Sequence, residues 1–113
     1  MKILFPVQKD EGMNSALYDH FGSAPMFMIV DIETNGLTPI NNQNLNDSHG
    51  AFNPMKAIDN QKVDAMIVSG IGSGALTGLN RMGIRVYRSQ AATIQENVVK
   101  FKNQELPELT PGK

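Results

Sequence analysis

The chain has 113 residues, ten basic and eleven acidic side chains for a formal charge of -1, and no cysteine. That length suits one domain burying roughly two-thirds of its unfolded surface. The near-neutral charge gives no bulk electrostatic reason to expect nucleic acid or an anionic membrane as partner. Without cysteine there can be no disulfides, thiolate catalysis, cysteine-rich structural zinc or cysteine-held iron–sulfur cluster. No transmembrane run is present, and the apolar opening MKILFPV is too short for a signal peptide, so a cytoplasmic protein is expected.

Taken in chain order, residues 2–7 (KILFPV) read as a strand whose end is marked by Pro6, which cannot donate to a ladder. Residues 8–23 are polar and form a long loop, with a helical turn expected near 15–18. The apolar run 25–32 is short enough for a buried strand, and Met26, Met28 and Val30 share one of its faces as core. Asn35-Gly36 is the pair favoured in tight hairpin turns, and residues 37–41 return as a third strand. A polar loop over 41–50 ends at His49, and Asn53-Pro54 reads as a helix cap and first residue. A fourth strand is expected over 64–69. The turn Gly70-Ile71-Gly72-Ser73-Gly74 then opens a helix with Leu76, Leu79 and Met82 inward, closed by Gly83. Residues 84–87 form a fifth strand. Thr93-Ile94-Gln95-Glu96 matches a capping box for a helix with Ile94, Val98 and Phe101 at helical spacing. Residues 1–106 are expected as a single domain and 107–113 as a disordered tail.

If strands one and two are antiparallel, His20 lies at the sheet edge where strand one ends. The hairpin and a crossover helix then return His49 and the glycine turn to that same edge, where open α/β sheets bind ligands. Glycines let backbone N–H groups approach a bound group, and a helix start favours an anion. Each feature alone has a plainer reading: two loop histidines and a tight strand-to-helix turn. Asp31 and Asp64, at strand ends, suit turn capping better than acid–base chemistry. Arg81, Arg85 and Arg88 suit a solvated face, with one of them able to help hold an anion.

The segments HFGSAPMFMIVD, His49-Gly50 with Pro54, and DAMIVSGIGSGALTGLNRMGIRVY resemble the dinitrogenase iron–molybdenum cofactor biosynthesis family, that of NifX, NafY and the carboxyl-terminal part of NifB. The resemblance covers about residues 2–103. It implies an α/β, ribonuclease-H-like three-layer fold with a five-stranded mixed sheet flanked by helices. It also implies a non-enzymatic binding, storage or carrier protein for an anionic molybdenum-containing metal–sulfur cluster, either Mo-Fe-S or Mo-Cu-S. By position it assigns cluster binding to His20, Phe21, Gly22, His49, Gly50, Gly70, Gly72 and Ser73, with His20 and His49 as metal ligands. Lacking cysteine, the protein would supply imidazole and backbone N–H groups to a cluster that brings its own sulfides. A cluster donor or acceptor protein is the implied partner, with neither nucleic acid nor membrane. Two other readings stand beside this one: a regulatory domain without a cluster, and a metal-dependent nuclease. The nuclease is disfavoured because strand one holds no carboxylate for a two-metal site.

Overall fold

A computed structural model describes residues 1–21, 24–41 and 63–110. The strands are β1 (Lys2–Val7), β2 (Met26–Asp31), β3 (Gly36–Asn41), β4 (Ala65–Val68), β5 (Arg85–Arg88) and β6 (Glu108–Leu109), with helices α1 (Ser73–Arg81) and α2 (Ile94–Lys102). They form one six-stranded mixed sheet in the order β3-β2-β1-β4-β5-β6. β1 pairs antiparallel with β2 and parallel with β4, and β4 pairs parallel with β5. The antiparallel pairing assumed for the first two strands therefore holds. β1, β3, β4 and β5 all run toward one edge, called here the upper edge.

Strand alternation sorts the core onto two faces. Leu4, Phe27, Ile29, Met66, Val68 and Val86 pack with Leu76 and Leu79 of α1 on one face. Ile3, Phe5, Met28, Val30, Ala65 and Ile67 pack with Ile94 and Val98 of α2 on the other. Both faces of the inner strands are covered, which is why they read as unbroken apolar runs rather than alternating ones.

α1 ends in a Schellman motif. Gly83 adopts φ +83°, its N–H donates to Asn80 O (3.0 Å), and the Ile84 N–H donates to Leu79 O (3.0 Å). Ile84 and Leu79 both lie in the same core cluster, so the motif turns the chain directly into β5. Thr93 caps α2, its hydroxyl accepting from the Glu96 N–H at 3.3 Å. The reciprocal arm of the expected capping box differs: Glu96 Oε1 accepts from the Thr93 hydroxyl (3.0 Å).

Several sequence expectations are corrected. Among the described residues the sheet has six strands, not five, and the expected tail contributes β6, which pairs with β5 through Val86↔Leu109 and Tyr87↔Glu108. A two-residue strand has no hydrophobic period to detect; it forms because β5 leaves an open edge and Leu109 packs against the core. The hairpin between β2 and β3 is a four-residue turn over 32–35, in which only Asn35 takes positive φ (62°) and Gly36 already belongs to β3. No helical turn forms at 15–18. That stretch is extended and bridges Val7↔Leu17 and Ala16↔Thr93. Met82 is 44% exposed: at 3.6 residues per turn it lies about 120° around the helix from Leu76, and Ile84 enters the core in its place. The helix expected from Asn53-Pro54 lies outside the described residues.

Asp31 caps its turn as expected, whereas Asp64 caps no turn and instead joins the start of β1 across the sheet. Asp31 Oδ1 accepts from the Glu33 N–H (3.0 Å), and Asp64 Oδ2 accepts from the Lys2 N–H (2.8 Å).

Candidate functional site

The loop over residues 8–20 is fixed at many points, and this fixes His20. The Gln8 N–H donates to Ala16 O (3.2 Å), Tyr18 N–H to Pro6 O (2.9 Å) and Leu17 N–H to Ala92 O (3.0 Å). Ser15 is fully buried; its hydroxyl donates to Gly12 O (2.7 Å) and accepts from the Glu11 N–H (2.8 Å). The loop is thereby tied to the end of β1 and to the start of α2 before it reaches the upper edge.

At that edge it docks on the turn following β4. The Phe21 N–H donates to Gly70 O at 2.9 Å. A Cβ added to Gly70 would stand 2.7 Å from Asp19 O and 3.6 Å from His20 Nδ1. Gly70 has an ordinary negative-φ backbone, so glycine is needed there for close approach and not for conformation. Phe21 anchors the contact from below: its ring is 1% exposed and meets Phe27 at 5.5 Å between centroids. Burial of such a ring contributes about 1.5–3 kcal/mol. His20 itself remains exposed on the rim.

The two helices among the described residues start at this edge on opposite faces, and their first turns differ. In α2 the Ile94 N–H donates to Ser15 O, Gln95 N–H to Met13 O and Glu96 N–H to the Thr93 hydroxyl. Those orphan donors are therefore all satisfied within the protein. In α1 the cap is Gly72 (φ −75°, ψ 153°), no side chain caps it, and the first turn holds no acidic residue. The N–H groups of Ser73, Gly74 and Ala75 have no hydrogen-bond partner among the described residues. Built Cβ atoms at Gly72 and Gly74 meet nothing within 4 Å, so this end of α1 is open among those residues.

The arginines do not form one cluster. Arg81 and Arg85 stand at the lower edge, at the end of α1 and the start of β5. Arg88 ends β5 at the upper edge. Val86 faces the α1 side of the sheet, so alternation puts Arg88 on that side too. Among the described residues Arg88 makes no ion pair.

Of the residues assigned from sequence, His20, Phe21, Gly70, Gly72 and Ser73 come together at the upper edge. Phe21 does so as a buried anchor whose ring faces the core. β3 delivers the chain to the same edge at Asn41; Gly22, His49 and Gly50 lie outside the described residues. Sequence reading did not find the Asp19–Gly70 contact, which joins segments about fifty residues apart and leaves no local signal. The contrast between the helix starts was legible: Thr-x-x-Glu before one, Gly-Ser-Gly before the other.

Among the described residues no three His, Asp or Glu side chains are grouped to hold a metal ion. An exposed imidazole, main-chain N–H groups at a helix start without a partner among those residues, and a guanidinium at the same edge form instead the rim of a small α/β protein suited to an anion. The chain matches the model of the "Dinitrogenase iron-molybdenum cofactor" family over residues 1–104, and it belongs to that family. An uncharacterized protein of Methanocaldococcus jannaschii is 34% identical over 105 residues, 89% of this chain and 85% of the relative. An NMR structure of a putative NifB protein from Thermotoga superposes with a TM-score of 0.79 at 28% identity, covering 99% of this chain and 96% of that one. The apo form of the orange protein from Desulfovibrio gigas gives 0.82 at 22% identity, over 97% and 93% of the two chains, and so shares the fold.

Proposed function

We propose that this protein binds and carries an anionic iron–molybdenum–sulfur cluster at its upper edge, as a cytoplasmic carrier and without catalysing a reaction itself. The cluster is cargo, received from one protein and passed to another. The observation that supports this most is the pinning of exposed His20 beside Gly70, next to a helix start whose first three N–H groups have no partner among the described residues. The donor set suits such a cargo. Among the described residues it groups no three side chains to cage a bare cation, but it offers the His20 imidazole and several hydrogen-bond donors to a body carrying its own sulfides. Sparse attachment also suits release. The family description names iron and molybdenum, and the proposal is restricted to that composition rather than to a molybdenum–copper cluster.

The test is anaerobic loading of the full chain with isolated iron–molybdenum cofactor, followed by gel filtration with visible absorption. Co-elution of the absorption with the protein is expected. His20→Ala should weaken binding about tenfold or more, the worth of one lost ligand of at least 1.4 kcal/mol, with its amide NMR spectrum otherwise unchanged. Unchanged affinity in both His20→Ala and the double variant with His49→Ala would overturn the assignment.

A further inference from the structure

The lower edge, far from the rim just described, carries a concavity. A cavity of about 490 Å³ opens there, lined by Ile32 of the hairpin turn, Arg85 and Tyr87 of β5, Phe101 and Lys102 of α2, and Leu106. That volume lies within the range of roughly 300–1,000 Å³ typical of small-molecule sites. The floor is apolar: Leu106 belongs to the core cluster under α2, and Ile32, Tyr87 and Phe101 pack against it. Tyr87 and Phe101 meet edge to face, 5.1 Å between centroids at 83°, giving the cavity a rigid aromatic wall.

Among the described residues the charged side chains of the lining are Arg85 and Lys102, and no carboxylate lines it. Both are exposed, and neither makes an ion pair among the described residues. The terminal ammonium of Met1, also at this mouth, is already committed to Glu33 (3.1 Å) and Asp31 (4.0 Å). An aromatic-walled cavity with two uncommitted cations at its mouth is complementary to a flat apolar body bearing one anionic group. The guanidinium fork matches a carboxylate in two contacts, and the ammonium adds a point charge.

We propose that this cavity is a second binding site, for a small free aryl carboxylate. It shares no residue with the upper rim, so the outcome at either edge leaves the other proposal standing. The test is a ¹H–¹⁵N NMR titration of the full chain with sodium 2-naphthoate, and with 2-naphthylmethanol as neutral isostere. Saturable shifts are expected at the amides of Ile32, Tyr87, Phe101, Lys102 and Leu106, with none at His20 or Gly72. The alcohol should bind about tenfold more weakly than the acid. The double variant Arg85→Gln/Lys102→Gln changes two exposed side chains and should keep the parent spectrum. It should lose about tenfold in naphthoate affinity while binding the alcohol as the parent does. Shifts that do not saturate, shifts scattered over the chain, or a double variant that holds naphthoate as tightly as the parent would each overturn the proposal.

Discussion

Replacing Gly70 by alanine tests how the rim is held. The added methyl would lie 2.7 Å from Asp19 O, a backbone atom that cannot rotate away. Relief requires the 19–21 backbone to move by several tenths of an ångström. That segment is tied by the Tyr18 N–H to Pro6 O and by the Phe21 N–H to Gly70 O, each 2.9 Å, and by a Phe21 ring sealed in the core. Overpacking of this kind costs about 1–3 kcal/mol, while alanine returns about 0.4–1 kcal/mol by restricting the unfolded chain. The net loss is about 1–2 kcal/mol, which for a domain of this size lowers Tm by roughly 4–8 °C. Gly74→Ala is the matched control. Its Cβ meets nothing within 4 Å, and it lies in the first turn of α1, where alanine should raise stability by about 0.5 kcal/mol. Urea unfolding of both variants reads the difference directly. If Gly70→Ala proves as stable as the parent, the Asp19 contact is not what fixes His20, and the reasoning fails.

Three further outcomes follow from the same geometry. Gly72→Asp places a capping carboxylate where the backbone is already extended and the space is open; it should add about 1 kcal/mol in thermal unfolding, yet weaken cluster loading by occupying the N–H groups and repelling the anion. Asn97 is fully buried, its Nδ2 donating to Ala91 O and Thr93 O and its Oδ1 accepting from the Gln90 N–H and the Ser89 hydroxyl. Asn97→Leu leaves the Gln90 N–H without its acceptor, while Ala91 O keeps the Ser89 hydroxyl and Thr93 O keeps the backbone N–H of residue 97; it should cost about 1–3 kcal/mol by urea titration. The Glu33 N–H holds the Asp31 carboxyl below its usual value, so the stability it lends is full above about pH 4 and is lost as pH falls through the depressed value. Tm measured from pH 5 to pH 2.5 should therefore fall less steeply in Asp31→Asn than in the parent.

Much of this protein was legible along the chain because local chemistry and the fold agree. The apolar runs at β1, β2 and β4 are buried on both faces, and runs of that kind need no partner to be recognised. Gly83 and Thr93 announce a helix end and a helix start through backbone requirements satisfied within a few residues. Asp31 was readable as a turn cap for the same reason. Family membership was also readable, since the motif segments span most of the chain.

What only the tertiary structure decided are features set by non-neighbours. β6 exists because β5 offers an open edge. Met82 stays exposed because Ile84 takes the core position after the helix, and Arg85 and Arg88 divide between two edges because β5 spans the sheet. Gly70 is the sharpest case. Its sequence context marks a tight strand-to-helix turn, but its glycine is required by a carbonyl from residue 19, brought there by hydrogen bonds to β1 and α2. Sequence determines what a residue can do alone, through its own backbone freedom, polarity and period. Which group stands 2.7 Å from a missing methyl depends on how distant segments pack, and no local pattern carries that.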